Sequence, residues 1–420
     1  MRFSRVSPTF PSVTRKSLSK PALLKPALAA TVAVLLAACG GGGGGNKKNL
    51  EEAYTVVGQA DFKTGTAASP SASTLRSPQS NVATNGTKFA VADASNNRIL
   101  IWNSIPSSNG AAASVVLGQA DFSTRTAATT QAGLNSPQSV FISNEDKLVV
   151  ADQGNHRVLI WNSIPTASNT PADVVVGQDS FTAKQVDLDG VDGKPSARGL
   201  DGPYDAIVTA DGKLIVADTN NNRVLIWNTL PTSNGQAANI VLGQVDFTSD
   251  DDDDEADAMN VPRGLWSDGA KLMVADSGNN RVLYWPNLPQ TSTVKASYVV
   301  GQTDFSRNTA GTSASSLRNP VSVSSDGAGF YVADAGNNRV LRYDSLPSSK
   351  GMNADFVYGQ DNDSFAASTA NDENQDGKRD DNPSAKTLSG PTGAFVYDNN
   401  LYVTDSSNNR VLFFNPFATP

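Results

Sequence analysis

Asp152-Gln153-Gly154-Asn155-His156-Arg157-Val158-Leu159-Ile160-Trp161 is a polar turn that runs straight into a strand. Val158 to Trp161 is apolar at every position, where a half-exposed strand would alternate. A strand of this kind is covered on both faces, which a single sheet lying on one core does not provide. The same Asp-to-Arg turn stands at Asp93 to Arg98, Asp218 to Arg223, Asp276 to Arg281, Asp334 to Arg339 and Asp405 to Arg410. An aromatic residue closes the strand after each turn: Trp102, Trp161, Trp227, Trp285, Tyr343 and Phe414. One aromatic per repeat, always at the same place, reads as packing.

A second marker, Gly-Gln after an apolar pair that begins with Val, ends at Gln59, Gln119, Gln178, Gln244, Gln302 and Gln360, which sets a repeat of about 58 residues. Each repeat reads as four short strands, in the second copy Pro137 to Ser143, Lys147 to Ala151, Arg157 to Trp161 and Asp173 to Val176. The two markers are out of phase. A Gly-Gln strand precedes the first Asp-to-Arg turn, and none follows the last. Pairing the spare strand at Tyr54 to Gln59 into the last unit closes a ring and removes the open sheet edge. The expected fold is all-β, a six-bladed β-propeller of four-stranded blades whose N-terminal strand completes the last blade. A ring that closes within one chain implies a monomer.

The turn Asp-x-x-Asn-Asn-Arg-Val-Leu, preceded by Val-Ala, resembles the NHL repeat, and the resemblance covers residues 54–415. That family forms six-bladed propellers that serve mostly as binding platforms. These repeats are longer than usual, the excess lying between blades. By the same resemblance, enzymes among six-bladed propellers build their sites from several histidines or from carboxylates in the channel.

Ahead of the repeats, Arg2, Arg5, Arg15, Lys16, Lys20 and Lys25 precede an apolar run from Ala27 to Ala38, with no acid before Cys39. This pattern reads as an export signal over residues 1–38. Leu36-Ala37-Ala38-Cys39-Gly40 resembles the lipobox of bacterial lipoproteins, and Cys39 is the one cysteine of the chain. The resemblance implies that Cys39 carries lipid and begins a tether over residues 39–53, flexible at Gly40 to Gly45. Gly at position 40, where inner-membrane retention uses Asp, implies the outer membrane of the cell envelope. Removing the six signal charges takes the formal net charge from −8 to −14. Such an acidic body excludes nucleic acid, whose binding needs cations that displace counterions. With no second cysteine a disulfide within the chain is excluded too.

Successive antiparallel strands reverse direction, so all six Asp-to-Arg turns share one rim with the six crossovers between blades. Residues that follow the Pro opening each innermost strand differ from blade to blade. Gln79, Gln138, Tyr204, Arg263 and Thr392, with Val321 in the fifth blade, are the candidate ligand-binding collar of the channel, Arg263 being its cation. In the last crossover, Asp372, Asn374 and Asp376 at alternate positions precede Gly377, and Asp380 and Asp381 follow. Hard oxygen ligands spaced by two suit calcium. The twelfth position of an EF-hand falls on Pro383, so its bidentate Glu is missing. Asp187, Asp189 and Asp192 form a poorer version, and Asp250 to Asp254 reads as a solvated charge run.

His156 is the one histidine of the chain and fills a slot that holds Asn in the other five turns. A site built from several histidines is therefore excluded. No catalytic residue emerges, and the expected function is a lipid-anchored envelope protein that presents its inter-blade loops to a protein, peptide or glycan. A calcium-dependent hydrolase or lactonase and a structural surface protein without a ligand are the alternatives.

Overall fold

In the computed structural model the described residues are 51–415, apart from Asp192 and residues 361–364. The signal, Cys39 and the tether up to residue 50 lie outside them. Among the described residues no helix is long and apolar enough to cross a membrane.

The second, third and fourth strands of a repeat pair antiparallel in sequence order, and the first pairs with the second, so each repeat makes one four-stranded sheet. The first blade comprises Gln79–Thr84, Phe89–Asp93, Arg98–Trp102 and Val115–Leu117. The second comprises Pro137–Ile142, Leu148–Asp152, Arg157–Trp161 and Val174–Val176, within a few residues of the sequence expectation. Three more blades repeat the pattern. The sixth has Pro391–Tyr397, Asn400–Asp405 and Arg410–Phe414, and takes its outer strand, Thr55–Val57, from the other end of the chain. Thr55, Val56 and Val57 pair with Phe413, Leu412 and Val411. The protein is a six-bladed β-propeller.

Six apolar clusters, one in each gap between neighbouring blades, form its core. This is why the third strands are apolar throughout: alternate residues belong to different gaps. Ile99 and Ile101 pack toward the second blade, while Leu100 and Trp102 pack toward the sixth. The four Trp indoles that end third strands each donate a hydrogen bond of 2.9–3.0 Å to the carbonyl nine residues on, pinning the loop that leads to the outer strand.

The Asp-to-Arg turn is a buried staple. Asp152 Oδ1 accepts the Asn135 N–H, and Oδ2 accepts both Asn155 Nδ2 and Arg157 Nε, the last at 2.8 Å. Arg157 spends its remaining donors on the carbonyls of Thr130, Gly133 and Phe181, in the crossovers on either side. All six Asp–Arg pairs are fully buried. The paired charges and satisfied donors remove most of the cost of burying a guanidinium. The repeated Gln is a second staple, its Nε2 donating to a turn carbonyl and a crossover carbonyl, as Gln119 does to Asn97 and Thr126.

Each turn ends on a residue in the left-handed region, Asn in five blades and His156, at φ 50°, in the second. The Asn side-chain oxygen accepts the N–H ahead of the next blade's Pro, as Asn97 does from Ser136. His156 does the same work with Nδ1, which lies 3.2 Å from the Gly202 N and 3.0 Å from Asp201 Oδ1. The histidine is therefore a substitute acceptor in a joint between blades.

Candidate functional site

The six innermost strands line the channel, each opening with Pro on the rim of the Asp-to-Arg turns. Gln79, Gln138, Tyr204, Arg263, Val321 and Thr392 all line one cavity of about 510 Å³ at this mouth. The turns contribute Gln153, Thr219, Asn220 and Ser406. The structure thus brings the whole sequence-derived collar together.

The collar is bridged across the channel. Tyr204 is 5 % exposed and lies across the channel, its hydroxyl donating to Gln79 Oε1 on the first blade at 2.9 Å. Burial pushes that hydroxyl far above its ordinary range, so it remains a donor. Gln79 Nε2 donates in turn to Ser406 Oγ, Gln138 Nε2 to the carbonyl and hydroxyl of Ser136, and the Thr392 hydroxyl to the Pro78 carbonyl. These bonds hold the neutral collar in place. Arg263 is bound more lightly: its guanidinium carbon sits 5.5 Å from the centre of the Tyr204 ring, and Nη1 reaches Asn319 Oδ1 at 3.4 Å. Among the described residues no carboxylate forms an ion pair with Arg263.

Below Tyr204 the channel is crossed a second time. Asn81 accepts from the Ser322 hydroxyl and the Ala394 N–H, and donates to the Val323 carbonyl. The strands approach so closely here that a Cβ on Gly393 would lie 2.0 Å from the Ser80 carbonyl oxygen. Beyond this plug a smaller cavity of about 60 Å³ faces the other rim, lined by Phe141, Ile207, Trp266, Phe395 and one carboxylate, Asp205. Sequence reading passed over Asp205 and Asn81. Aligning the repeats one position further from each Pro shows the signal: Ser80, Ser139, Asp205, Gly264, Ser322 and Gly393 contain a single acid.

The calcium candidates are differently placed. Asp372 is buried, its Oδ1 accepting the Asp376 N–H and its Oδ2 the Gly377 N–H. Asn374 Oδ1 also accepts the Asp376 N–H, Asp376 Oδ1 accepts the Lys378 N–H, and Asp380 Oδ2 accepts the Glu373 N–H. Asp381 is exposed. As folded, the loop uses its oxygens on its own backbone, and among the described residues no three His, Cys, Asp or Glu side chains gather into a metal-holding group. In the poorer version, Asp187 accepts from Asn221 and Asp189 pairs with Arg198, while Asp192 lies outside the described residues. The acidic run from Asp250 is more than a solvated loop. Carbonyls of Asp250, Asp251, Asp253 and Asp254 accept from Asn222, Gln244, Asn279 and Arg281. Its backbone belongs to the staple network while its charges face water.

No family model matches the chain, and no curated protein matches it in sequence. Among solved structures it is similar to a streptogramin B lyase, at 11% identity over 84% of this chain and 96% of that one, with a TM-score of 0.43. A virginiamycin B lyase from Staphylococcus aureus matches at 10% identity over 84% and 97%, TM-score 0.41. The WD40 β-propeller domain of Doa1 matches at 12% identity over 87% and 97%, TM-score 0.41. At such identities no residue's role passes from these proteins to this chain.

Proposed function

We propose that this chain is an NHL-like binding module, anchored by lipid on Cys39 in the cell envelope at the outer membrane. It uses the collar mouth to hold a carboxylate-bearing group of a protein, peptide or glycan. The observation that carries this reading is Arg263. It is the one cation lining a polar cavity of about 510 Å³, and among the described residues no carboxylate pairs with it. In a chain of formal net charge −8, a cation left without a carboxylate at a concave site is matched to an incoming anion. The rigid collar around it, tied by Gln79, Gln138 and Thr392, supplies donors and acceptors at low ordering cost.

Binding is preferred to catalysis because the collar holds no nucleophile paired with a base. Arrays of peptides with free or amidated C-termini, and of uronate or neutral oligosaccharides, test the reading. Saturable binding of acid-bearing probes, weakened at least tenfold in Arg263→Ala, is the expected result. Equal binding of acidic and neutral probes would overturn it.

Calcium in the loop from Asp372 to Asp381 is part of the proposal. Its support is the alternate spacing of Asp372, Asn374 and Asp376 before Gly377. An ion there would take over oxygens that now accept backbone N–H groups.

A further inference from the structure

The rim away from the collar carries the second cavity. Its lining contains a pattern that the repeats do not require. The fourth residue after the opening Pro is aromatic in alternate blades: Phe141 in the second, Trp266 in the fourth and Phe395 in the sixth. All three are partly exposed, whereas the aromatic residues at the ends of the third strands are buried. Between them stand Val82, Ile207 and Ser324. Three aromatic side chains therefore surround one channel mouth at positions related by every second blade.

Asp205 lines the same cavity and is 4 % exposed. Its Oδ2 accepts the Leu265 N–H at 3.0 Å and its Oδ1 the Ala206 N–H at 2.9 Å, with the Ser139 hydroxyl also bonded to it. Among the described residues no Lys, Arg or His forms an ion pair with it. The ring does not need a charge at this place. Ser322 at the equivalent position accepts the Ala394 N–H of the next blade with a neutral hydroxyl, as Ser139 accepts the Ala206 N–H. A buried carboxylate without a cation is costly, and a structural tie is available without it. Tyr204 and the Asn81 plug separate it from Arg263, so its way out is through the aromatic mouth.

We propose that this mouth binds a small organic ammonium ion: the charged nitrogen reaches Asp205, and the apolar body lies among Phe141, Trp266 and Phe395. Aromatic faces attract organic cations, and a carboxylate at the floor adds the countercharge. A bare metal ion would find one carboxylate and an apolar wall, which is a poor exchange for its hydration shell. The cavity of about 60 Å³ admits the ammonium end of a ligand, the rest occupying the open mouth.

Calorimetric titration of the full chain with benzylammonium and with benzyl alcohol tests the assignment. Benzylammonium is expected to bind at least tenfold more tightly. Asp205→Asn should abolish that preference while leaving benzyl alcohol binding unchanged. Phe395→Leu, which keeps an apolar wall without the aromatic face, should reduce the preference and keep the protein folded if the asparagine variant fails to fold. Equal affinity for the two probes in the native chain overturns the proposal, as does an undiminished preference in either variant. Arg263→Ala removes the collar cation and should leave benzylammonium binding unchanged, which separates this site from the one proposed above.

Discussion

Gln59 donates from Nε2 to the carbonyl of Asn409, 350 positions away, at 3.1 Å. The same nitrogen bonds the Thr66 carbonyl at 3.2 Å. This is the staple that every other blade makes within itself, as Gln302 does with Asn280 and Thr309. At the seam it joins the two ends of the chain.

Gln59→Ala should therefore cost as much as an interior staple. Removing two bonds and leaving carbonyls unpaired in a buried joint costs about 1–3 kcal/mol. Denaturant unfolding of Gln59→Ala beside Gln302→Ala checks this, with similar losses expected. A neutral Gln59→Ala next to a costly Gln302→Ala would mean that the ring is not closed by this strand.

A larger loss is expected at the Asp–Arg staple. Arg281 uses Nε on Asp276 and its other donors on the carbonyls of Asp254, Phe305, Glu255 and Ala258. Arg281→Met fills similar volume but strands a buried carboxylate, at about 3–5 kcal/mol. The double variant Arg281→Met with Asp276→Leu removes both charges and should recover part of that loss. Thermal and denaturant unfolding of the three proteins reads it directly. A single variant within 1 kcal/mol of native (about fivefold in the folding constant) would contradict the staple.

The fold was legible because its markers are themselves the buried joints. Asp152, Arg157 and Gln178 repeat since each ties turn to crossover, and a joint needed in every blade leaves a period in the sequence. Residues specific to one blade leave no such trace. Gln79, Gln138 and Arg263 could still be placed because they follow a Pro that marks the strand start. Asp205 could not, because it and its neighbour Tyr204 line the same channel at different depths, which the two-residue alternation of a strand does not predict. In the other five blades the pairing of the innermost strand shifts register just after its start, as between Pro137 and Ser139, and a bulge breaks the alternation from which inward positions are counted. Tyr204 lines the mouth cavity, but its reach across to Gln79 depends on blades that sequence separation hides.

Calcium is expected to raise the melting temperature through the loop at residues 372–381. An ion that binds only the folded state stabilises it by about 2.7 kcal/mol at a hundredfold excess over its dissociation constant. Asp376→Ala should abolish the shift. Asp372→Ala should do so too, and should also cost about 1 kcal/mol without calcium, since Asp372 accepts the Asp376 and Gly377 N–H groups. Melting curves in millimolar calcium and in chelator check both variants. An unchanged melting temperature of the native chain on adding calcium removes the ion from the proposal.

The last expectation concerns Asp205 and the direction of its pH dependence. Burial pushes this carboxyl up to about 6, with the Leu265 N–H, the Ser139 hydroxyl and the Ala206 N–H pulling the other way. Between about pH 4 and pH 6 the folded chain keeps this proton while the unfolded chain releases it. The folded state then binds more protons, so stability falls as pH rises through that window, by roughly 3 kcal/mol in all. Three surface carboxylates act in the opposite sense. Asp61, Asp121 and Asp246 are held below their ordinary range by hydrogen bonds from neighbouring Thr and Ser residues. The difference between native and Asp205→Asn isolates the buried group from them. Asn at this position keeps Oδ1 for the Leu265 N–H and turns Nδ2 toward Ser139 Oγ, so its folded state carries no titrating charge. The variant should be less stable than, or equal to, the native chain at pH 4, and should gain on it steadily up to pH 7. Urea unfolding at pH 4, 5, 6 and 7 measures that gain. A difference that stays constant across the four values would show that Asp205 titrates alike in both states, and the cavity around it would then be far wetter than its 4 % exposure implies.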